Sequence, residues 1–183
     1  MNFLRTFNEI KEISSDINEH LPTLYKYGEM SNSIVELGTR WMVSTYAFLA
    51  AKPDRLWSID IERPDSDKWE NQANLNFENI LKEANDQGID YKFIQGDSRT
   101  AEIECDSFDL LFVDTIHTSE MVAAELNHWG NKVDKFIIFH DVVLFPEINI
   151  AINEFVDKNP QWVELERFSN NCGLLVLKNE EGS

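Results

Sequence analysis

Four side chains near the middle of the sequence carry the groups from which an acid–base or metal site can be built. Asp114 and His117 follow the run Phe108-Asp109-Leu110-Leu111-Phe112-Val113, and His140-Asp141 follows the run Phe136-Ile137-Ile138-Phe139. Carboxylate oxygens bind divalent cations, and a neutral imidazole is a metal ligand or a general base near neutral pH. In one reading Asp114 and Asp141, with or without His140, hold a divalent cation, and His117 is the base. In a second, the four groups form a metal-free acid–base site. In a third, the carboxylates and His117 only cap or pack against the helices that follow.

The elements that must position these groups are legible from hydrophobic pattern. Each run is almost continuously apolar, as expected of a strand buried on both faces of a parallel sheet. Thr118-Ser119-Glu120 then opens a helix to about Trp129, with Thr118 as its N-cap. Two neighbouring parallel strands therefore deliver Asp114, His117, His140 and Asp141 to the carboxyl-end edge of a sheet, where ligands of open α/β sheets bind.

A second unit lies upstream. Ile34-Val35-Glu36-Leu37 is a short strand, Gly38 breaks it, and Met42, Tyr46, Leu49 and Ala50 recur at helical spacing until Pro53. Leu56 to Asp60 forms the next strand and ends on a carboxylate. Strand, glycine turn, helix, strand and acid make the opening unit of a nucleotide-binding Rossmann domain. Gly38 lets backbone approach a ligand, the helix start offers free N–H groups, and Asp60 can accept from ribose hydroxyls. Arg40 and Val43 stand where the later glycines of G-x-G-x-x-G would be. That departure argues against a pyrophosphate ligand such as NAD and for a ligand with a ribose alone.

Glu36-Leu37-Gly38-Thr39, followed by Ser44-Thr45, resembles motif I of class I S-adenosylmethionine-dependent methyltransferases. From Ser33 onward the chain is similar to the small metal-dependent O-methyltransferases, which include catechol, caffeoyl-CoA and macrolide-sugar enzymes. The resemblance implies an α/β, Rossmann-like fold with a seven-stranded mixed sheet in the order 3-2-1-4-5-7-6, flanked by helices. It implies S-adenosylmethionine against Glu36, Gly38, Thr39, Ser44, Thr45, Asp60 and Asp114, with Asp97 and Ser98 of the Gly96-Asp97-Ser98 turn at the adenine. It implies a divalent cation, Mg²⁺ or Mn²⁺, at Asp114, His140 and Asp141, and His117 as the base. His140 stands where that family has a carboxylate or amide oxygen. Nitrogen there favours a softer cation such as Mn²⁺ or Zn²⁺, or leaves His140 outside the ligand shell. The implied reaction is in-line methyl transfer to a hydroxyl oxygen of a small molecule or sugar, which His117 deprotonates and the cation positions. Two other classes stay open: a non-catalytic S-adenosylmethionine-binding domain, which suits Val43 and His140, and a Rossmann-type oxidoreductase, which the missing glycines disfavour.

The whole chain, 1–183, reads as a single domain: an N-terminal helical segment over 1–32, a Rossmann-like core over 33–178 and a polar tail over 179–183. Phe3, Leu4, Phe7, Ile10, Ile13 and Ile17 predict one or two amphipathic helices over Phe3 to Leu21. Leu21 to Ser33, with Pro22 and Gly28, reads as a connector. Ile61 to Trp69 reads as a loop, Glu70 to Gln87 as a helix ended by Gly88, and Tyr91 to Ile94 as a strand. Pro146 opens another helix. Trp162 to Phe168 and Gly173 to Leu177 then form an antiparallel hairpin turned at Asn170-Asn171.

Composition sets outer bounds. Hydrophobic residues make up 43% of the chain, with five Trp and twelve Phe, which suits a globular protein. Sixteen Lys and Arg against thirty-three Asp and Glu give −17, a charge that opposes nucleic acid and anionic membrane as partners. No apolar run approaches the ~20 residues of a membrane span, and no signal-peptide h-region is visible, so a cytoplasmic location is expected. Cys105 and Cys172 suggest neither a disulfide framework nor a metal spacing. Without a separate substrate domain, the acceptor pocket is expected from loops and the N-terminal helices, or from a second copy in a homodimer.

Overall fold

The computed structural model describes residues 2–64 and 77–182. Seven strands form one sheet: β1 (Ser33–Leu37), β2 (Arg55–Asp60), β3 (Asp90–Gln95), β4 (Phe108–Val113), β5 (Val133–His140), β6 (Trp162–Phe168) and β7 (Leu174–Asn179). Their order is β3-β2-β1-β4-β5-β7-β6, the order implied by the resemblance. β1 to β5 run parallel to one another, and β7 lies antiparallel between β5 and β6.

Alternation along the strands builds two cores. Ile34, Leu56, Leu110, Phe112 and Ile138 point to one face, where α1 (Phe3–Ile10), α2 (Leu21–Glu29), α3 (Val43–Ala51) and α4 (Phe77–Asp86) pack. Val35, Trp57, Leu111, Val113 and Ile137 point to the other, under α5 (Ser119–Trp129) and α6 (Ile148–Lys158). Both faces are covered, so β4 is buried along its whole length and reads in sequence as an apolar run broken only by Asp109. Thr118 caps α5 by accepting from the Met121 N–H at 3.2 Å. Ile89 N–H reaches back to the Ala84 carbonyl past Gly88, which closes α4 as a left-handed cap.

The N-terminal segment differs from the sequence expectation in two places. The first helix ends at Ile10, and Ile13 is exposed. Asn18 explains the stop: its side chain accepts from Ser15 N–H and donates to the Lys11 carbonyl, competing with helical pairing. The predicted connector from Leu21 is helix α2. Pro22 sits in its first turn, where no backbone N–H bond is lost. Gly28 is helical because α2 crosses α3 there, and a Cβ would meet the Ala51 methyl at 2.8 Å. The helix predicted from Glu70 is described from Phe77 onward. Its earlier part, and the loop from residue 65 to Trp69, lie outside the described residues. Among the described residues no helix is long and apolar enough to cross a membrane, and Cys105 and Cys172 are free.

Candidate active site

The turn after β1 sets the centre of the site. Gly38 has φ +85°, and a Cβ there would collide with the Asp114 carbonyl oxygen at the end of β4. Only glycine admits that approach. Arg40 and Met42, at φ 39° and 60°, take left-handed backbone without being glycine. The loop therefore keeps a tight shape despite the incomplete glycine pattern.

Asp60, at the end of β2, ties this loop down. Its Oδ2 accepts from Thr39 N–H at 2.8 Å, Arg40 N–H at 3.0 Å and the Thr39 hydroxyl at 3.2 Å. Its Oδ1 accepts one bond, from Glu62 N–H at 3.0 Å, which leaves acceptor capacity towards the adjoining cleft.

Glu36 is wholly enclosed below the same loop. Ser44 at 2.6 Å, Thr45 at 2.9 and 3.1 Å and Ser58 at 2.5 Å donate to its carboxylate. Burial raises its pKa from 4.5 to about 7, with the three hydroxyls opposing the shift and the Asp114 charge adding to it. The folded chain thus holds a proton that the unfolded chain releases from pH 4.5 upward. This contribution to stability is fully present below pH 4.5, declines as pH rises to about 7 and is then constant. The full loss is roughly 3 kcal/mol. Urea unfolding of wild type and Glu36→Gln at pH 5 and pH 8 checks it. The variant should gain on wild type by that order as pH rises, and parallel pH profiles would contradict it.

The four groups singled out first do converge. His117 Nε2 lies 2.7 Å from Asp141 Oδ2 and 3.4 Å from Asp114 Oδ1. His140 Nδ1 lies 3.3 Å from Asp114 Oδ1 and 3.2 Å from Asp141 Oδ2. His140 Nε2 faces two backbone carbonyls, Asp16 at 3.1 Å and Asn171 at 3.3 Å. Carbonyls only accept, so Nε2 carries the proton and Nδ1 is turned to the carboxylates. Asp141 itself has φ 64°, a left-handed residue directly after β5.

Burial alone would lower both histidine pKa values, but the paired carboxylates outweigh it. They push His117 up to about 9 and His140 up to about 11. Burial would raise both aspartates, and the histidine bonds reverse this and hold them below the usual carboxylate range. Two imidazolium groups thus compensate two carboxylates, and a cation taking Nδ1 of His140 would displace the proton there. His117 also stacks on Phe145, ring centroids 4.5 Å apart and planes within 8°.

Two adjoining clefts share Gly38, Arg40, Asp114 and Thr115. The larger, about 430 Å³, is walled by Asp16, Ile17, Trp41, Ser44, His117, Asp141, Leu144 and Phe145. The smaller, about 220 Å³, has Ile59, Asp60, Gly96, Ser98, Ile116 and Met121 on its walls. Of the sequence-predicted residues, Gly38, Thr39, Ser44, Asp60, Ser98, Asp114, His117 and Asp141 line one or both clefts. Glu36 and Thr45 are enclosed and bonded to each other, and His140 is buried behind Asp114 and Asp141. Asp97 is turned to Arg99, with a closest contact of 2.5 Å.

Sequence reasoning did not single out Asp16, Trp41, Thr115, Glu125, Leu144 or Phe145. One had a usable signal: Glu125 is a carboxylate on the apolar stripe Val122, Leu126 and Trp129 of α5.

The profile of a methyltransferase domain family matches residues 35–142, more than half of the chain and both strand ends of the site. The chain belongs to this methyltransferase family. Membership makes it an enzyme, in place of the non-catalytic domain or oxidoreductase left open above. No curated protein sequence matches the methyltransferase. Among solved structures, an O-methyltransferase from Bacillus cereus in complex with S-adenosylhomocysteine is similar at TM-score 0.62 and 14% identity, covering 98% of this chain and 91% of the other. The O-methyltransferase TomG of Streptomyces achromogenes, involved in tomaymycin synthesis and solved with S-adenosylmethionine, has TM-score 0.61 and 15% identity over 98% and 90% of the two chains. A methyltransferase of Podospora anserina bound to S-adenosylhomocysteine has TM-score 0.53 and 15% identity over 97% and 87%. At such identities the likeness speaks to the fold, the class I S-adenosylmethionine-dependent methyltransferase fold.

Proposed function

We propose that this methyltransferase transfers a methyl group from S-adenosylmethionine to a hydroxyl oxygen of a small molecule or sugar, assisted by a divalent cation at Asp114, His140 and Asp141. The observation that carries the reading is the fixed orientation of His140. Its Nε2–H is committed to two carbonyls, and its Nδ1 stands 3.2 and 3.3 Å from one oxygen of each aspartate. Neighbouring ligands of a cation with bonds of ~2.1 Å lie roughly 3 Å apart, so this donor set fits one. One donor atom from each of the three residues lies within 4.8 Å of the others. The outer hydrogen bond that fixes the tautomer is the usual companion of a ligating histidine. Nitrogen beside two oxygens suits Mn²⁺ or Zn²⁺ as well as Mg²⁺. Such a cation would lower the pKa of an acceptor hydroxyl.

The smaller cleft suits the adenosine half of the cofactor. Asp60 Oδ1 has capacity for a ribose hydroxyl, and Gly96 and Ser98 wall the end beyond it. S-adenosylmethionine supplies the methyl group on a sulfonium that leaves as a neutral thioether. Gly38 and Asp114 belong to both clefts and align cofactor with acceptor, the proximity on which an in-line transfer depends. In the larger cleft His117, oriented by Phe145 and Asp141, removes the acceptor proton when its imidazole is neutral. Trp41, Leu144 and Phe145 give the acceptor apolar walls. The whole chain acts as one domain in this reading, without nucleic acid or membrane.

Calorimetric titration with S-adenosylhomocysteine tests the cofactor half. Micromolar affinity, about −8 kcal/mol, is expected, with Asp60→Ala weakening it at least about tenfold. Binding of NAD in place of S-adenosylhomocysteine would overturn the reading.

A further inference from the structure

Glu125 lies on the buried face of α5 and is wholly enclosed. Its Oε1 accepts from the Ser98 hydroxyl at 2.5 Å and from the Thr115 hydroxyl at 2.8 Å. Its Oε2 is buried and has no partner. Ser98 follows β3 and Thr115 follows β4, and both line the smaller cleft beside Asp60. Trp129 Nε1 donates to the Ser98 carbonyl at 2.6 Å, so the backbone of Ser98 is fixed as well.

A tie between two loops does not by itself call for this residue. A neutral amide could bridge the same hydroxyls without burying a carboxylate, and an unpaired buried oxygen is destabilising. What a carboxylate offers that an amide does not is acceptors alone: an amide could turn its N–H group to a hydroxyl and leave that hydroxyl's proton free for the cleft. Each hydroxyl has a single proton, and both protons are spent on Oε1. What Ser98 and Thr115 keep for the cleft is lone pairs. Burial raises the Glu125 pKa, and the two hydroxyl bonds oppose the shift. A proton, when taken up, has the free Oε2 to occupy, so Oε1 stays an acceptor in either state.

We propose that Glu125 is a positioning residue that fixes the polarity of Ser98 and Thr115, so that the base end of the cleft offers acceptors and selects a purine with an exocyclic amino group over one with a carbonyl there. The inference rests on the placement of adenosine in the smaller cleft. A site with committed polarity rejects the wrong group because a carbonyl facing these lone pairs finds no donor and both acceptors are left unpaired.

The test is calorimetric titration of the full chain with S-adenosylhomocysteine and with S-inosylhomocysteine, its 6-oxo counterpart. Wild type should prefer the adenosyl form by about 10²-fold. Glu125→Met keeps the volume and removes the acceptor, freeing both hydroxyls to turn and donate. Its preference should drop to within a few-fold, with folding checked by circular dichroism. Thr115→Val leaves Glu125 in place and covers the case in which the methionine variant does not fold. Its preference should fall about tenfold. A purely structural tie would weaken both ligands equally and leave the ratio unchanged, and that result in the folded variants overturns the inference. Equal affinity of wild type for the two ligands overturns it too. No binding of S-adenosylhomocysteine by wild type overturns the cofactor placement on which it rests.

Discussion

Replacing His117 with alanine is expected to lower the rate of methyl transfer by about 10²–10⁴ while leaving S-adenosylhomocysteine affinity unchanged. The ring forms part of the wall of the larger cleft, stacked on Phe145 and bonded through Nε2 to Asp141 at 2.7 Å. The smaller cleft does not include it. As a base it must be neutral, yet the aspartates hold it protonated up to about pH 9. The rate should therefore rise with pH, since only the deprotonated imidazole takes a proton. Added Mn²⁺ should move that rise to lower pH, because a cation at the carboxylates repels the imidazolium charge. Transfer of labelled methyl groups to a panel of phenols and sugars, followed from pH 6 to 10 with and without Mn²⁺, checks both points. A variant that keeps its rate but loses stability would show that His117 only packs against Phe145 and α5.

Asp141→Asn is expected to abolish stabilisation by divalent cations. In wild type, Mn²⁺ at a hundred times its Kd should add about 2.7 kcal/mol and raise the melting temperature accordingly. Asn tolerates the left-handed backbone at φ 64°, so the variant tests charge and not strain. It removes the partner nearest to His117 and one of the two carboxylates facing His140, and each histidine should titrate closer to its ordinary value. Transfer should fall with the metal response. An equal rise in melting temperature for both proteins would place the cation elsewhere.

Much of this arrangement was legible in sequence because its physical causes are local. The two buried strands betray themselves as apolar runs, and the acid or histidine that ends each is thereby assigned to one edge. Thr118 announces α5, and Gly38 announces a close backbone approach, expected towards a ligand and made in the structure to the Asp114 carbonyl. What was not legible depends on contacts distant in sequence. Nothing near Asp16 or Asn171 shows that their carbonyls meet at His140, which fixes its tautomer. Asp60 was expected to be open to a ribose, yet one of its oxygens is filled by the amides of Thr39 and Arg40. α2 was missed because Pro22 and Gly28 read as breakers. One sits harmlessly in a first turn and the other serves a helix crossing.

The central claim is a divalent cation held by two carboxylates and the Nδ1 of His140. Electron spin-echo spectroscopy of the protein titrated with Mn²⁺ tests it most directly. The account predicts one bound Mn²⁺ per chain, coupled to a single imidazole ¹⁴N, with the coupling lost in His140→Ala and binding lost in Asp141→Asn. Bound Mn²⁺ without nitrogen coupling in wild type, or binding that survives Asp141→Asn unchanged, would contradict it.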